Sequence, residues 1–243
     1  MVRHGMPGGC LNTTVANADE RAAAAAPLAA AIANFAHELA NPLNTIAMTS
    51  ELARRMLARG QGEKAMHALE NIGADCNRCA RLLRDAQDFL SMEIGEISSE
   101  VDLEALLEEA GEPLKKRGEI AQSASSSRYL LHGDARALRR MFSELLSNAF
   151  DHGARRLEVD LGSDGRQLCI RFRDDGPGID PAVMPRIFDP FFSTDRQQRS
   201  GIGLAIARAV AEAHGGDVDA ERAEQGAAFR VRLPLEVVAT GES

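Results

Sequence analysis

Apolar side chains recur with a helical period through the first ninety residues. In the first stretch, the positions separated by three, four or seven residues are Leu28, Ile32, Phe35, Leu39 and Ile46. They predict a helix from about Asp19 to Arg59, followed by a tight turn over 60–62 and a second helix over 63–94. In that second helix the apolar heptad comprises Leu69, Ile72, Cys76, Cys79, Leu83, Ala86 and Leu90. The pattern predicts an all-α helical hairpin over residues 19–95.

A hairpin of this kind has one apolar seam and little else to bury. Two copies are therefore expected to pack as a dimeric four-helix bundle, which predicts a homodimer. The pair Cys76 and Cys79 lies on the seam, and we interpret it as core packing, with a metal bridging the dimer as the alternative. Residues 1–18 show no periodicity and are expected to form a disordered tail.

The pattern changes after residue 95 to short alternating elements. After a linker over 96–101, the predicted elements are a helix at 101–111, a strand at 118–122, a loop at 123–127, a strand at 129–131, a helix capped by Asp134, strands at 156–161 and 167–173 around a turn at 163–165, a helix at 201–213, and strands at 217–221 and 227–233. Mixed helices and mainly antiparallel strands in this order predict an α+β sandwich over 102–236, with a tail at 237–243.

Charge and composition exclude several function classes. The formal net charge of -8 argues against binding to nucleic acid or to an anionic membrane surface. The longest apolar run, 22–36, is mostly alanine and is broken by Pro27, so membrane insertion is not expected. Four cysteines without a signal peptide favour reduced thiols and a cytoplasmic location.

One histidine of the first helix lies beside residues suited to phosphoryl chemistry. In the segment FAHELANPL, 35–43, His37 falls off the apolar stripe and is expected to face solvent. A neutral imidazole is a good nucleophile, and the Glu38 carboxylate is suited to hold one ring nitrogen as N–H while the other attacks. Asn41 lies one turn later on nearly the same face. Pro42 cannot donate to the Glu38 carbonyl, so it is expected to interrupt the hydrogen-bond ladder and to bend the helix there.

Two segments of the second domain have features that suit a nucleotide base. Glu144 and Asn148 lie four residues apart on the polar side of a predicted helix, so both side chains are expected to face one cleft. In RDDGPGID, which ends a predicted strand, Asp174 is suited to accept a hydrogen bond from an exocyclic amine such as that of adenine. Gly176 and Gly178 free the backbone for a close approach of the ring.

Two further segments suit the rest of a nucleotide. The stretch IFDPFFSTD, 187–195, places aromatic bulk beside the hydroxyl of Thr194. The stretch SGIGLAIARAVAEAHGG then opens a helix with Gly201, Gly203 and Leu204. A helix N-terminus with bare glycine N–H groups suits phosphate.

The order of these segments carries a family resemblance. His-Glu-Leu-Ala-Asn-Pro-Leu at 37–43 resembles the phosphoacceptor box of sensor histidine kinases. The asparagine helix, the Asp-x-Gly-x-Gly loop, the phenylalanine-rich segment and the Gly-x-Gly-Leu helix resemble the ATP-binding domain that these kinases share with gyrase-type ATPases. The resemblance covers roughly residues 28–234 and implies a helical hairpin followed by an ATP-binding domain.

The resemblance implies a role for each nucleotide residue, with ATP and Mg²⁺ as the cofactors. Asn148 would hold Mg²⁺ against the phosphates, and Asp174 would read the adenine in a pocket shaped by Gly176 and Gly178. The residues that would complete the site around the nucleotide and its mobile lid are Glu144, His152, Thr194, Gly201, Gly203 and Leu204.

It also implies roles for the acceptor residues. His37 would attack the γ-phosphoryl group with Glu38 as base. Asn41 or its equivalent orients water in related families for removal of phosphate from an aspartate. The implied protein is a dimeric, cytoplasmic kinase core that passes phosphate to the receiver domain of a separate response regulator. A stimulus is expected to arrive through an upstream sensor protein or through the N-terminal helix.

Several positions depart from the family pattern. Asp151 stands where these kinases often have lysine, although His152 is placed to substitute. Arg199 occupies a position that is usually glycine, Asp195 one that is often basic, and the lid over 193–200 is short. These departures bear on nucleotide affinity more than on the fold.

Three alternatives follow from these departures. The first is a histidine phosphotransfer or scaffold protein with a degenerate ATP domain, which predicts no nucleotide binding. The second is a phosphatase-dominant enzyme that depends on Asn41 more than on Asp174. The third is a gyrase-type ATPase in which Glu144 activates water, and it predicts that ATP hydrolysis survives His37→Ala.

Overall fold

The protein folds as two compact units, Met1–Ala80 and Arg81–Ser243. The structure, a computed structural model, describes residues 12–95, 97, 99–123, 128–164, 166–194 and 200–235, with side chains described from residue 29 onward. The expectations for residues 1–11, for the serine-rich loop over 124–127, for Asp195 and Arg199 in the lid and for the C-terminal tail lie outside the described residues.

Two helices form the predicted hairpin. Helix α1 covers Asn12–Ala58 and helix α2 covers Gly62–Leu90. Helix α1 begins at Asn12, so the sequence expectation of a tail up to residue 18 is wrong for 12–18. Helix α1 continues through Pro42, which is buried. Proline has no backbone N–H group, so the hydrogen-bond ladder lacks one bond there, as expected.

The heptad of α2 divides into a covered and an uncovered face. Of the predicted seam residues, Cys79 and Ala86 are buried and Ile72 is half-buried. The other seam residues are exposed in one chain and lie seven positions apart, at Leu69, Cys76, Leu83 and Leu90. We call these four residues the α2 stripe. The hairpin covers one half of the predicted seam and leaves the α2 stripe uncovered.

The two cysteines of the hairpin differ in environment. Cys79 is buried, and this burial raises the pKa of its thiol, with neighbouring Cys76 acting in the same direction. A buried thiol with a raised pKa is a packing residue rather than a reactive nucleophile. Cys76 lies on the α2 stripe and is exposed.

The second unit is a sheet covered by helices on one face. Its helices are α3 (Leu103–Gly111), α4 (Ala135–Asp151) and α5 (Gly203–Ala213). Its strands are β1 (Glu100–Asp102), β2 (Glu119–Gln122), β3 (Leu130–His132), β4 (Arg156–Ser163), β5 (Gln167–Asp174), β6 (Asp217–Glu221) and β7 (Ala228–Pro234). Short 3-10 turns occupy Glu112–Leu114 and Met184–Arg186. Only β1 and the 3-10 turns are additions to the predicted elements of the described residues.

The main sheet has the strand order β2-β4-β5-β7-β6. Strands β2 and β4 are parallel, and the other neighbours are antiparallel. Helices α4 and α5 pack on one face, where the Phe142 and Phe172 ring centroids lie 6.2 Å apart. The other face carries ion pairs between neighbouring strands, including Arg173 with Asp160 at 2.6 Å. One buried face and one solvated face confirm the predicted α+β sandwich.

The segment predicted as a linker is attached to this unit. The Gly95 N–H donates to the Asp134 Oδ2 atom at 2.8 Å, and the Gly133 N–H donates to the Ser99 carbonyl at 3.0 Å. Strand β1, which follows, pairs with β3 in a separate two-stranded sheet. The chain after α2 is therefore fixed at the N-terminus of α4 rather than free.

Among the described helices, none combines the length and the apolar character that a bilayer span requires.

Candidate active site

His37 and Glu38 follow one another on α1 but face different surroundings. The His37 side chain is exposed, as the heptad pattern predicted, whereas Glu38 is only 6% exposed. Successive residues of an α-helix point about 100° apart, so one can face solvent while the next enters the hairpin. The His37 side chain is therefore exposed to solvent, while the neighbouring Glu38 side chain is buried.

Glu38 is paired with an arginine of the second helix. The Nη2 atom of Arg78 donates to Glu38 Oε2 at 3.1 Å, and both side chains are largely buried. Sequence reasoning did not find Arg78, because the two residues are 40 positions apart. An arginine that interrupts an otherwise apolar face of α2 was the available signal. Asn41, the third predicted acceptor residue, is half-buried on α1.

A cavity of about 240 Å³ opens beside α4 in the second unit. Helix α4 and its C-cap supply five of its lining residues: Glu144, Ser147, Asn148 and Asp151 of the helix, and the C-cap His152. They fall on one face of an amphipathic helix whose opposite, apolar face packs into the core. Asp85, from the part of α2 that belongs to the second unit, also lines the cavity, and sequence reasoning missed it.

The opposite wall comes from the phenylalanine-rich and glycine segments. Its residues are Ile187, Phe192, Ser193, Thr194, Ser200, Gly201, Gly203 and Leu204. The structure therefore brings together seven residues predicted for nucleotide binding: Glu144, Asn148, His152, Thr194, Gly201, Gly203 and Leu204. Hydroxyls, a carboxamide and backbone N–H groups at a helix start make this lining suitable for phosphate.

Glycine is required where the chain enters α5. Gly201 has a φ of 71°, and a Cβ there would lie 2.4 Å from the Phe192 carbonyl oxygen. A Cβ on Gly203 would lie 2.6 Å from the Glu144 Oε2 atom. These two glycines let the start of α5 approach both the phenylalanine-rich segment and α4, which closes the cavity on that side.

Asp174, Gly176 and Gly178 do not line this cavity. Asp174 borders a separate recess with Asp175 and Gln225, at the end of β5. Its Oδ1 atom accepts hydrogen bonds from the Gly176 N–H at 2.8 Å and from the Ala227 N–H at 3.0 Å. The Oδ2 atom takes part in neither bond, so it is the oxygen that is positioned to accept from a ligand.

A second glycine contact fixes Asp174. Gly226 has a φ of 68°, and a Cβ there would lie 1.7 Å from the Asp174 carbonyl oxygen. Gly178 has a φ of 79°, and its added Cβ would lie 2.9 Å from the Gly226 carbonyl oxygen. Gln225 and Gly226 lie in the connection between β6 and β7. The structure makes it the support of the Asp174 loop.

The neighbouring Asp175 has a different part in the loop. Its Oδ1 atom accepts from the backbone N–H groups of Arg155 and Arg156 at 2.7 and 2.9 Å. These two hydrogen bonds lower the pKa of the Asp175 carboxyl group. Asp175 therefore anchors the loop to the start of β4 and leaves Asp174 as the candidate for base recognition.

The cavity is acidic among its described residues. Asp85, Glu144 and Asp151 contribute carboxylates, and His152 contributes an imidazole. Asp151, expected to weaken a phosphate contact, forms an ion pair with Arg117, which compensates part of its charge. Carboxylates and a carboxamide are the oxygen ligands that Mg²⁺ prefers, so the lining fits a magnesium–nucleotide complex better than a bare polyphosphate.

Comparison with known proteins agrees with both parts of this arrangement. Residues 28–95 match the family model described as "His Kinase A (phospho-acceptor) domain". Residues 133–237 match the family model described as "Histidine kinase-, DNA gyrase B-, and HSP90-like ATPase". The two matches include the exposed His37 and the cavity beside α4, respectively.

Two individual relatives are a histidine-protein kinase and a sensor protein by name. The chain is 28% identical over 219 residues to the signal transduction histidine-protein kinase AfsQ2 of Streptomyces coelicolor, covering 84% of this chain and 41% of that protein. It is 32% identical over 231 residues to the sensor protein SphS of Synechococcus elongatus, covering 84% and 54%. The chain thus spans about half or less of the length of these relatives.

A solved structure shows the same fold over most of the chain. The histidine kinase ThkA, in complex with the response regulator protein TrrA, superposes with a TM-score of 0.62 at 22% identity and covers 90% of this chain and 64% of that one. Both family models, in this order, and the fold place the chain in one family. The chain belongs to the histidine kinases and carries their catalytic core, a phospho-acceptor domain followed by an ATPase-type domain.

Proposed function

We propose that this protein is an ATP-dependent protein-histidine kinase that phosphorylates His37 and passes the phosphoryl group to an aspartate of a separate response regulator. The observation that supports this most directly is the presence, in one chain, of an exposed histidine on the phospho-acceptor helix and a cavity lined by seven predicted nucleotide residues. In this proposal residues 19–95 form the dimerisation and phosphotransfer hairpin, and residues 102–236 bind ATP.

The reaction begins with nucleotide binding. Asp174 accepts a hydrogen bond from the adenine amine through its Oδ2 atom, and Gly176 and Gly178 shape the space for the ring. Asn148 would hold Mg²⁺, which would neutralise charge on the phosphates. Gly201 and Gly203 direct the N-terminus of α5 at the phosphates.

Phosphoryl transfer then uses the acceptor helix. One imidazole nitrogen of His37 forms a bond to the γ-phosphorus as the bond from that phosphorus to the bridging oxygen of ADP breaks. The proton on the other ring nitrogen passes to Glu38. In the second step the N–P bond breaks and the phosphoryl group moves to a carboxylate oxygen of the regulator. In the opposing phosphatase activity, Asn41 orients a water molecule that hydrolyses the regulator's phosphoaspartate.

The partners follow from the same proposal. The solved complex of ThkA contains a response regulator protein, and we extend that partnership to the receiver domain of a regulator for this chain. The uncovered α2 stripe supports a homodimer. An upstream sensor protein would supply the stimulus, and the kinase would act in the cytoplasm.

The experiment is incubation of purified protein with Mg²⁺ and γ-labelled ATP, comparing wild type with His37→Ala and Asp174→Ala. We expect acid-labile, base-stable label on wild type, and its loss in both variants. His67→Ala is the matched control, because His67 is another exposed helical histidine, on α2, and it should retain the label.

Two other outcomes identify the alternatives. The phosphotransfer scaffold would be established if wild type neither binds nucleotide nor takes up label, while His37 still accepts phosphate from a phosphorylated regulator. ATP hydrolysis that survives His37→Ala but not Glu144→Ala would establish a gyrase-type ATPase.

A further inference from the structure

The ion pair between Glu38 and Arg78 is largely buried in the hairpin. The side chain of Arg78 is 14% exposed and that of Glu38 is 7% exposed. The neighbouring Cys79 and Leu82 of α2 are buried. Within the described structure, the Nε atom of Arg78 is buried without a hydrogen-bond partner. The Arg78 guanidinium therefore donates to Glu38 through Nη2, while its Nε–H group has no acceptor in the described structure.

Stability alone does not account for such a pair. Removing two charges from water costs several kcal/mol per ion, and a well-packed apolar pair in their place is often as stable or more stable. Loss of one partner is different, because it leaves a buried charge without compensation. Glu38 also follows directly after His37, the proposed phosphoryl acceptor. A requirement of the reaction is therefore the better explanation.

We propose that Arg78 is a positioning residue that holds and orients the buried Glu38 carboxylate, so that Glu38 can accept the proton of the His37 imidazole. This inference rests on the proposed function, in which Glu38 is the base. Without Arg78 the carboxylate loses the group that orients it. The phosphoryl transfer then slows although nucleotide binding is unaffected.

The charged groups near the pair support this assignment. On α1 the only titratable residues from Asn34 to Thr45 are His37 and Glu38. On α2, Asp75 lies one turn before Arg78 and is half-buried, Cys79 is a buried thiol, and Arg81 is exposed. Asp75 adds negative charge on this side of α2, which increases the need for a cation. Arg78 is the cation in contact with Glu38.

The test is the pH dependence of His37 phosphorylation between about pH 5.5 and 9. Arg78→Met retains length but removes the charge, and Arg78→Lys retains the charge. We expect Arg78→Met to lower the rate at pH 7 about tenfold or more, since general bases contribute about 10²–10⁴-fold. Its pH–rate profile should also differ from that of wild type, because the proton acceptor is no longer held in place. Arg78→Lys should restore most of the rate and of the profile.

The controls separate this role from a structural one. Arg81→Met removes an exposed arginine of the same helix and should leave rate and profile unchanged. In a Glu38→Gln background, Arg78→Met should have no further effect, because the group that it positions is already absent. The double variant also retains a buried neutral pair if Arg78→Met alone fails to fold.

Three results would overturn the proposal. The first is a pH–rate profile of Arg78→Met that equals the wild-type profile. The second is a loss of rate that is equal at every pH and is not rescued by Arg78→Lys. The third is a further loss of phosphorylation rate when Arg78→Met is added to Glu38→Gln. A wild-type protein that binds ATP but gives no label would instead contradict the proposed function itself.

Discussion

The imidazole of His214 accepts a hydrogen bond from the backbone N–H of Asp134 at 3.0 Å. Its other ring nitrogen, Nδ1, lies 2.7 Å from the Val210 carbonyl oxygen, so Nδ1 carries the proton. His214 ends α5 and Asp134 caps the start of α4. One buried side chain therefore joins the ends of the two helices that form opposite sides of the cavity.

We predict that His214→Ala weakens this connection. The substitution leaves the Asp134 N–H without its acceptor at a part-buried position, and an unsatisfied donor of this kind costs about 1–3 kcal/mol. The free energy of unfolding, measured by urea titration, should fall by that amount. His67→Ala, at an exposed position, should change it by much less. Equal stabilities of His214→Ala and wild type would contradict the role of the hydrogen bonds.

The Asp134 carboxyl group should also make the free energy of unfolding depend on pH in the acid range. The Gly95 N–H, followed by those of Ala137 and Arg136, lowers the pKa of the Asp134 carboxyl group. A carboxyl whose pKa is lower in the folded state stabilises the protein above its unfolded pKa, near 4, and loses that contribution as pH falls through the folded pKa. The free energy of unfolding of wild type should therefore decrease below about pH 4.

Asp134→Asn isolates this contribution. Asparagine retains a cap for α4 but does not titrate, so stability at pH 7 should fall modestly and the decrease below about pH 4 should become shallower. Exposed Glu224→Gln serves as the control and should follow the wild-type curve. Identical acid limbs for wild type and Asp134→Asn would exclude Asp134 as a contributor.

Periodicity predicted the long elements well because burial of one face repeats along the chain. It also predicted that His37 faces outward and that Asp134 caps α4, since each is decided by near neighbours. The same reasoning had not considered the direction of Glu38, although the residue after an outward one must point about 100° away. Its partner Arg78 comes from a different helix. Such pairings are decided by tertiary packing, which local pattern does not contain.

For the predicted nucleotide residues too, local pattern identified the residues but not their tertiary contacts. The Asp-x-Gly-x-Gly spacing identified Asp174 and both glycines of its loop. It did not predict that the Ala227 N–H, 53 positions later, would bind the Asp174 side chain. That contact arises because β5 and β7 are neighbours in the sheet. The adjacency follows from the topology of the domain rather than from any single segment.

We predict that Gly226→Ala disrupts base recognition. A Cβ at residue 226 would meet the Asp174 carbonyl oxygen at 1.7 Å, and the positive φ of 68° is unfavourable for alanine. The Asp174 loop must move, so the affinity for a fluorescent ATP analogue should fall about tenfold or more, equivalent to about 1.4 kcal/mol.

Gly162→Ala is the matched control for that substitution. Gly162 lies in β4, and an added Cβ there meets no atom within 4 Å. Affinity and thermal stability of this variant should equal those of wild type. If Gly226→Ala binds the analogue as wild type does, the proposed support of Asp174 by the Gly226 turn is wrong.

The two glycines before and at the start of α5 should differ in their sensitivity to alanine. At Gly201 the added Cβ meets the backbone of Phe192, which cannot move without displacing the cavity wall. At Gly203 it meets the end of the Glu144 side chain, which can rotate away. Gly201→Ala should therefore reduce nucleotide binding and stability more than Gly203→Ala. The reverse order, measured by calorimetry and thermal unfolding, would contradict this assignment.

Leu83 tests whether the α2 stripe is a dimer surface. It is 48% exposed in one chain, whereas the adjacent Leu82 is 2% exposed. A charge at an exposed position costs a monomer little, but in a bundle packed on this stripe it would be buried without a partner. Leu83→Glu should therefore convert a dimer to a folded monomer in sedimentation equilibrium. Arg81→Glu, on the far side of α2, should remain dimeric. A dimeric Leu83→Glu would place the interface elsewhere.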